Sequence, residues 1–120
     1  MYGHLNNALY YTFFELAIMH YLDQEIDLKA EAVRCYSVEN GCRYFSAISH
    51  PADVEVGLRV AHLGNSSVRY ELALFLENDH QPAAAGFAAE VFVDADTERP
   101  TRIPATIRTA LQALQLQGEA

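Results

Sequence analysis

Basic residues are scarce in this sequence. Its 120 residues include 8 lysines and arginines against 16 aspartates and glutamates, which gives a formal net charge of −8 at pH 7. General nucleic-acid binding requires an excess of basic side chains, so this composition argues against that class of function. A negative total still permits a local basic cluster that binds a small anionic ligand.

Cysteine is equally sparse, and the start of the sequence lacks the features of a secretion signal. Cys35 and Cys42 lie in a stretch with strand propensity, and we expect two free buried thiols rather than a disulfide. The first apolar run, 8–22, has no basic region before it. It is short for a bilayer span and contains Glu15 and His20, which would be costly there. These features predict a protein of the reducing cytoplasm with no membrane partner.

Two common catalytic signatures are missing. The sequence contains no Gly-x-Ser-x-Gly, the motif that places the nucleophile of α/β-type serine hydrolases. His50, His62 and His80 lack the spacing of metal ligands and have no carboxylate-rich helix nearby. We therefore expect no serine nucleophile, no metal site and no cofactor.

What the sequence does contain is a single α+β domain spanning residues 1–120. Apolar and aromatic residues fill almost every helical face of 8–22, which predicts a helix covered by protein on almost every side. Four segments with strand propensity or a period of two follow it, at 32–48, 54–61, 68–77 and 85–93. After Pro104, a short helix carries an apolar face made of Ile107, Ala110, Leu111 and Leu114. This order predicts a curved antiparallel meander wrapped around the first helix.

Single positions predict further details of the sheet. Asn40-Gly41 indicates a bulge or bend in the first strand, and Gly64-Asn65 indicates a hairpin turn. In the last strand, one apolar set is expected to face away from Glu90 and Asp94: Ala85, Phe87, Ala89, Val91 and Val93.

The start of the first helix has the chemistry of an anion site. Asn6 and Asn7 are good N-cap residues, and Gly3 permits a close approach of the backbone. The free N–H groups and the helix dipole attract negative charge, either standing or developing in a reaction. His4 lies in the loop just before this end, where it could bond a carbonyl or contact a reacting group.

These residues also carry a resemblance to a known family. Gly3-His4-Leu5-Asn6-Asn7-Ala8-Leu9-Tyr10, followed by Phe14-Glu15, resembles the signature of hotdog-fold acyl-CoA thioesterases, in particular the 4-hydroxybenzoyl-CoA thioesterase and YbgC-like group. The segment 60–70, with its Val-x-x-Leu-Gly-x-Ser-Ser pattern, and the segment 99–104 are similar to that family too. The resemblance implies a hotdog fold and hydrolysis of an acyl thioester to a carboxylic acid and free thiol.

The resemblance implies catalytic roles at the helix start. The backbone N–H of Asn7 is the expected donor to the oxyanion, with Gly3 and His4 in the same catalytic motif. The family motif reads Asp-x-x-Gly-His-x-Asn-Asn, and its aspartate falls one residue before Met1. A chain that starts at Met1 is expected to hydrolyse thioesters feebly, or to be a non-catalytic acyl-CoA-binding protein.

Two glutamates could stand near this site. Glu15 is interpreted first as a salt-bridged or interface residue, and second as a carboxylate close to the reaction. Glu39, on the first predicted strand, is a second possibility because some acyl-ACP thioesterases place a glutamate in roughly this region.

The expected ligand contacts divide into an acyl pocket and an anion cluster. Tyr10 and Phe14 are predicted to be core residues that also wall the acyl pocket. Guanidinium groups bind phosphates well, and the basic residues suited to coenzyme A lie close together: Arg99, Arg102 and Arg108. Ser66 and Ser67, which follow a glycine turn, could also contact the nucleotide.

A single curved sheet leaves an edge of unpaired backbone groups, which association would cover. The resemblance implies sheets joined edge to edge in a homodimer, often paired again into a homotetramer, with each site at the subunit boundary. The sequence is thus expected to belong to an oligomer that binds acyl-CoA.

Overall fold

The computed structural model describes residues 7–27, 29–46, 53–77 and 79–115. These ranges contain two helices and four strands, in the predicted order: α1 (Asn7–Glu25), β1 (Val33–Tyr44), β2 (Val54–Leu63), β3 (Ser67–Leu76), β4 (Ala84–Asp94) and α2 (Ala105–Gln112). The α+β prediction is confirmed. Within the described ranges, neither helix is long and apolar enough to cross a membrane.

The four strands form one antiparallel sheet in the order β1-β4-β3-β2. β2, β3 and β4 form a meander, but β1 pairs with β4 and not with β2. The prediction of a meander is therefore wrong for the first strand. A period-two pattern identifies a strand without identifying its neighbour, and here β1 and β2 lie at opposite edges of the sheet.

The irregularity in β1 lies earlier than predicted. The ladder with β4 shifts register between Ser37 and Glu39, so the extra residue of the bulge is Val38 and not Asn40-Gly41. Gly41 has a different role, because a Cβ at that position would lie 2.7 Å from the ring of Phe87. Glycine is needed here for the close approach of a ring from the neighbouring strand.

α1 packs on the sheet through one stripe of side chains. Its members recur every four residues and are at most 4% exposed: Tyr10, Phe14, Ile18 and Leu22. They share a core with inward residues of β2, β3 and β4, among them Val60, Tyr70 and Phe92. Leu16 and Met19 lie on the other side of the helix and are 60% and 41% exposed. The expected cover on almost every side is not provided by the described residues, in which the sheet contacts α1 from one direction only.

The core face of β4 is the one that carries Glu90. Ala88, Glu90 and Phe92 are buried there, whereas on the other face Phe87 and Val91 are half-buried and Val93 is buried. Both faces of this strand are rich in apolar residues, because β4 lies between two other strands in the sheet. Alternation alone could not decide which face meets α1.

α2 closes one end of the molecule. Ile107, Ala110 and Leu111 are buried, which confirms the predicted apolar face. Pro104 immediately precedes the first helical residue. The hydroxyl of Tyr21 donates a 2.6 Å hydrogen bond to the carbonyl of Ala110, so the C-terminal half of α1 is attached to α2.

Candidate active site

The N-terminal end of α1 is the first component of the candidate site. The helix begins at Asn7, and the first turn contains no acidic side chain. Its leading N–H groups have no partner within the helix, and they lie at the positive end of the helix dipole. Gly3 and His4 lie outside the described residues. The catalytic roles of Gly3, His4 and Asn7 stay predictions. The backbone of Asn7 lies at the helix start, as its predicted role requires.

Aromatic side chains join this end of α1 to the end of β1. The rings of Tyr10 and Tyr44 pack edge to face with centroids 4.6 Å apart. The hydroxyl of Tyr44 also interacts with the side chains of Tyr11 and Cys42. Tyr10 and Phe14 are core residues, as expected, and their second role as walls of an acyl pocket stays a prediction.

The hairpin between β2 and β3 forms the second component. Its turn rests on the segment after β4, because the N–H of Ile103 donates to the carbonyl of Asn65 at 2.9 Å. The guanidinium of Arg108 donates to the carbonyls of Gly64 and Asn65, at 2.7 Å and 3.1 Å. The guanidinium of Arg108 therefore holds the backbone of the turn and is not free to bind an anion.

The other two arginines are placed differently. Arg99 and Arg102 lie exposed on the loop between β4 and α2. Among the described residues, neither guanidinium has a hydrogen bond or an ion pair, so both are available to a ligand. Ser66 is half-buried in the adjacent turn, and Ser67 is exposed at the start of β3.

The two components lie at opposite ends of the sheet. Tyr44 pairs with Ala84 of β4, and Ser67 pairs with Val91 of the same strand. A strand rises by about 3.3 Å per residue, so Ala84 and Val91 are about 23 Å apart. The course of α1 agrees, since Tyr21 binds α2 about 21 Å along the axis from the helix start. One protomer therefore does not bring the serine and arginine cluster to the helix start.

A third polar group lies in the core beneath α1. Glu90 is 4% exposed, and its carboxylate accepts a hydrogen bond from Cys35 Sγ at 3.0 Å. The side chain of Glu15 bonds the same carboxylate from the helix. Burial, followed by this hydrogen bond and by repulsion from Glu90, raises the pKa of Glu15 to about 7. Glu15 and Glu90 thus form a carboxyl pair that holds a proton, so among the described residues the partner of Glu15 is another acid and not the base of a salt bridge. The alternative place of Glu15 at an interface stays a prediction.

Tyr70 borders the carboxyl pair. It is fully buried, and its hydroxyl has no hydrogen-bond partner among the described residues. Burial is the largest cause that raises the pKa of Tyr70, and the nearby Cys35, Glu90 and Glu15 raise it further. Sequence reasoning did not identify Glu90 as a partner of Glu15. The available signal was an acid in the middle of each of two apolar elements, because a buried carboxyl group needs a hydrogen-bonding or charged partner.

Glu39 is not part of this group. It lies exposed on β1, opposite Ala89 of β4. Its proposed place near the reaction stays a prediction.

A curved antiparallel sheet packed against one long helix, with the helix start at the rim, defines the hotdog class of protein. The chain belongs to the Thioesterase-like superfamily, whose family model matches residues 1–111. The predicted fold and the thioesterase relationship are therefore confirmed. The narrower YbgC-like assignment stays a prediction.

Solved structures show the same relationship. The PA5185 protein of Pseudomonas aeruginosa PAO1 is 45% identical, with a TM-score of 0.93 over 99% of this chain and 85% of that one. The PA2801 protein of that species, a proposed thioesterase, is 32% identical, with a TM-score of 0.81 over 91% and 85% of the two chains. A thioesterase from Thermus thermophilus, solved with coenzyme A and Zn, is 32% identical, with a TM-score of 0.77 over 93% and 82%. No curated protein matches the sequence.

The carboxyl pair predicts a pH dependence of stability. Between about pH 4.5 and pH 7 the folded chain holds a proton on Glu15 that the unfolded chain has released, so the free energy of unfolding falls as the pH rises. The amide of Glu15→Gln can donate the same hydrogen bond to Glu90 but does not titrate. We expect this variant to gain stability relative to wild type between pH 5 and pH 8, measured by urea denaturation.

Glu39→Gln is the matched control, since it removes one negative charge from an exposed position of the sheet. Its stability relative to wild type should change little over the same interval. A difference between Glu15→Gln and wild type that stays constant from pH 5 to pH 8 would contradict the shared proton.

Proposed function

We propose that this protein is a cytoplasmic acyl-CoA thioesterase, which hydrolyses an acyl thioester to a carboxylic acid and free coenzyme A. The observation that carries the proposal is the start of α1 at Asn7, within the Gly-His-x-Asn-Asn motif and at the rim of a hotdog sheet. The T. thermophilus thioesterase that was solved with coenzyme A supports the choice of a CoA ester.

In this proposal, the helix start stabilises charge that develops during the reaction. Attack on the thioester carbon moves negative charge onto its oxygen, which the N–H of Asn7 and the helix dipole stabilise. One such donor contributes roughly 10²–10³ in rate. The attacking group, or the base that activates water, is the aspartate that the family motif places one residue before Met1. A positioned base contributes about 10²–10⁴.

Hydrolysis assays test this division of roles. A chain that starts at Met1 should bind acyl-CoA but release thiol slowly. An extension that supplies a first strand and the aspartate directly before Met1 should raise the rate by about 10²–10⁴. Replacing that aspartate with asparagine should remove the gain, with release of free CoA followed by a thiol reagent.

Two other outcomes would change the assignment. Brisk turnover by the chain that starts at Met1 would show that the base is elsewhere, and Glu15→Gln and Glu39→Gln would then locate it. Tight acyl-CoA binding without turnover in either form would favour the non-catalytic acyl-CoA-binding protein.

We propose that Arg99 and Arg102 bind the phosphates of coenzyme A. Replacing both with alanine should weaken CoA binding about tenfold or more, because charge-assisted hydrogen bonds to phosphate are lost. Wild-type binding should also weaken as salt is added, since both side chains are exposed. Isothermal titration calorimetry at two salt concentrations measures both effects.

The variant Arg59→Ala is the control, because it removes an exposed positive charge from β2, away from both the arginine loop and the β1 edge. It should bind CoA nearly as wild type does. Equal affinity of wild type and the Arg99, Arg102 variant would show that the cluster is only a solvated surface.

We also propose that the complete site forms between two copies of the chain. The helix start and the arginine loop lie at opposite ends of one protomer, so a second copy is needed to bring them together. β1 is an edge strand with large apolar side chains, on it and just after it, that are 41–63% exposed: Tyr36, Val38, Tyr44 and Phe45. The backbone groups on its outer side pair with no strand among the described residues, and together with this apolar surface they suit pairing with a second β1.

A lysine on this edge should oppose association. We expect wild type to be a dimer or tetramer at micromolar concentration and Val38→Lys to shift it towards monomer, measured by light scattering after gel filtration. Ala61→Lys, which places the same charge on the other edge strand, is the control and should leave the mass unchanged. A monomeric wild type would overturn the shared site.

A further inference from the structure

Glu98 has a backbone conformation that is unusual for its residue type. Its φ is 59°, in the left-handed region that glycine adopts without strain. The turn imposes this conformation: the carboxylate of Asp94 accepts the N–H groups of Asp96 and Thr97, both at 2.9 Å. The N–H of Glu98 closes the turn on the carbonyl of Asp94 at 2.8 Å. Glycine would satisfy the same backbone pattern, so the backbone alone does not explain a glutamate at this position.

The side chain of Glu98 reaches the edge strand. Its carboxylate accepts a 2.7 Å hydrogen bond from the hydroxyl of Tyr36 and lies 3.8 Å from a guanidinium nitrogen of Arg34. Both partners are on β1, so these contacts attach the turn after β4 to a strand far away in the sequence. Glycine could not provide this attachment.

The next residue along the chain is Arg99. Its carbonyl accepts the N–H of Asp94 at 2.9 Å, and its own N–H donates to Thr97 Oγ1 at 3.3 Å. The backbone of Arg99 therefore belongs to the turn that Glu98 attaches to β1, while its guanidinium is free of partners among the described residues. Any loosening of the turn would let the guanidinium sample more positions.

We propose that Glu98 is a positioning residue for the anion-binding loop, which holds the backbone of Arg99 in place before the nucleotide arrives. A pre-ordered binding group loses less conformational freedom when its ligand binds. The inference rests on the proposed role of Arg99 and Arg102 in binding coenzyme A, and it adds the residue that orders them.

Because Glu98 is negatively charged, a charge effect and a positioning role predict opposite changes in CoA affinity when the side chain is removed. A carboxylate next to a phosphate site repels the ligand, so its removal should strengthen CoA binding if charge were its only effect. A positioning role predicts the opposite result when the whole side chain is removed. Glu98→Gly and Glu98→Gln separate the two effects, because the glutamine oxygen can still accept the hydrogen bond of Tyr36.

Two measurements test the inference. In hydrogen–deuterium exchange of the ligand-free protein, Glu98→Gly should speed exchange at the amides of Asp94, Glu98 and Arg99, whereas Glu98→Gln should not. In calorimetry with coenzyme A, Glu98→Gly should bind about three- to tenfold more weakly than wild type, and Glu98→Gln equally well or more tightly. The melting temperature of Glu98→Gly should change little, since relief of the positive φ offsets the lost contacts.

Ala32→Gly is the matched control, because Ala32 also has a positive φ, of 55°, and its carbonyl accepts the N–H of Ala95 in the same turn at 3.0 Å. It relieves strain without touching the Glu98 carboxylate and should leave CoA affinity unchanged. Unchanged amide exchange in Glu98→Gly, or CoA affinity equal to or above wild type, overturns the positioning role. A wild type that does not bind coenzyme A overturns the proposed ligand of the loop, while the exchange measurement still decides whether Glu98 orders it.

Discussion

The contact between one stripe of α1 and the inner face of the sheet is the interaction on which the rest of the structure depends. Tyr10, Phe14, Ile18 and Leu22 are almost completely removed from solvent there. Burial of each large apolar side chain stabilises the fold by about 1.5–3 kcal/mol. The same contact fixes the axis of the helix, and therefore the position of the Asn7 backbone at the rim. The proposed oxyanion donor therefore depends on where that helix begins.

Two acidic side chains lie beside this apolar stripe. Glu15 and Glu90 face each other beneath the helix, where two ionised carboxylates would repel strongly. A shared proton lets the pair act as donor and acceptor, and the thiol of Cys35 satisfies a further position on Glu90. The pair joins α1 to β4, and Cys35 extends the contact to β1. Attachment of the helix is thus coupled to a proton that titrates near neutral pH.

The geometry of a single protomer also explains why association is part of the proposed function. The helix start lies beside Tyr44 at one end of β4, and the arginine loop follows the other end. The edge strand β1 connects these regions: it carries Tyr44 near the first and Tyr36 near the second. A second copy paired along β1 would place its own loop opposite the first copy's helix. In that proposal, the exposed apolar surface and the two parts of the site are joined by the same strand.

Local patterns in the sequence determined the helices, the four strands, the hairpin turn at Gly64-Asn65 and the motif at the helix start, because these depend on neighbours a few residues apart. The identity of the family followed from the same short motifs. Only the tertiary structure decided that β1 pairs with β4, that Glu90 faces the core, and that it meets Glu15. Both faces of β4 are apolar enough to be buried, so alternation could not choose between them. The choice came from contacts between residues more than fifty positions apart, which no local pattern encodes.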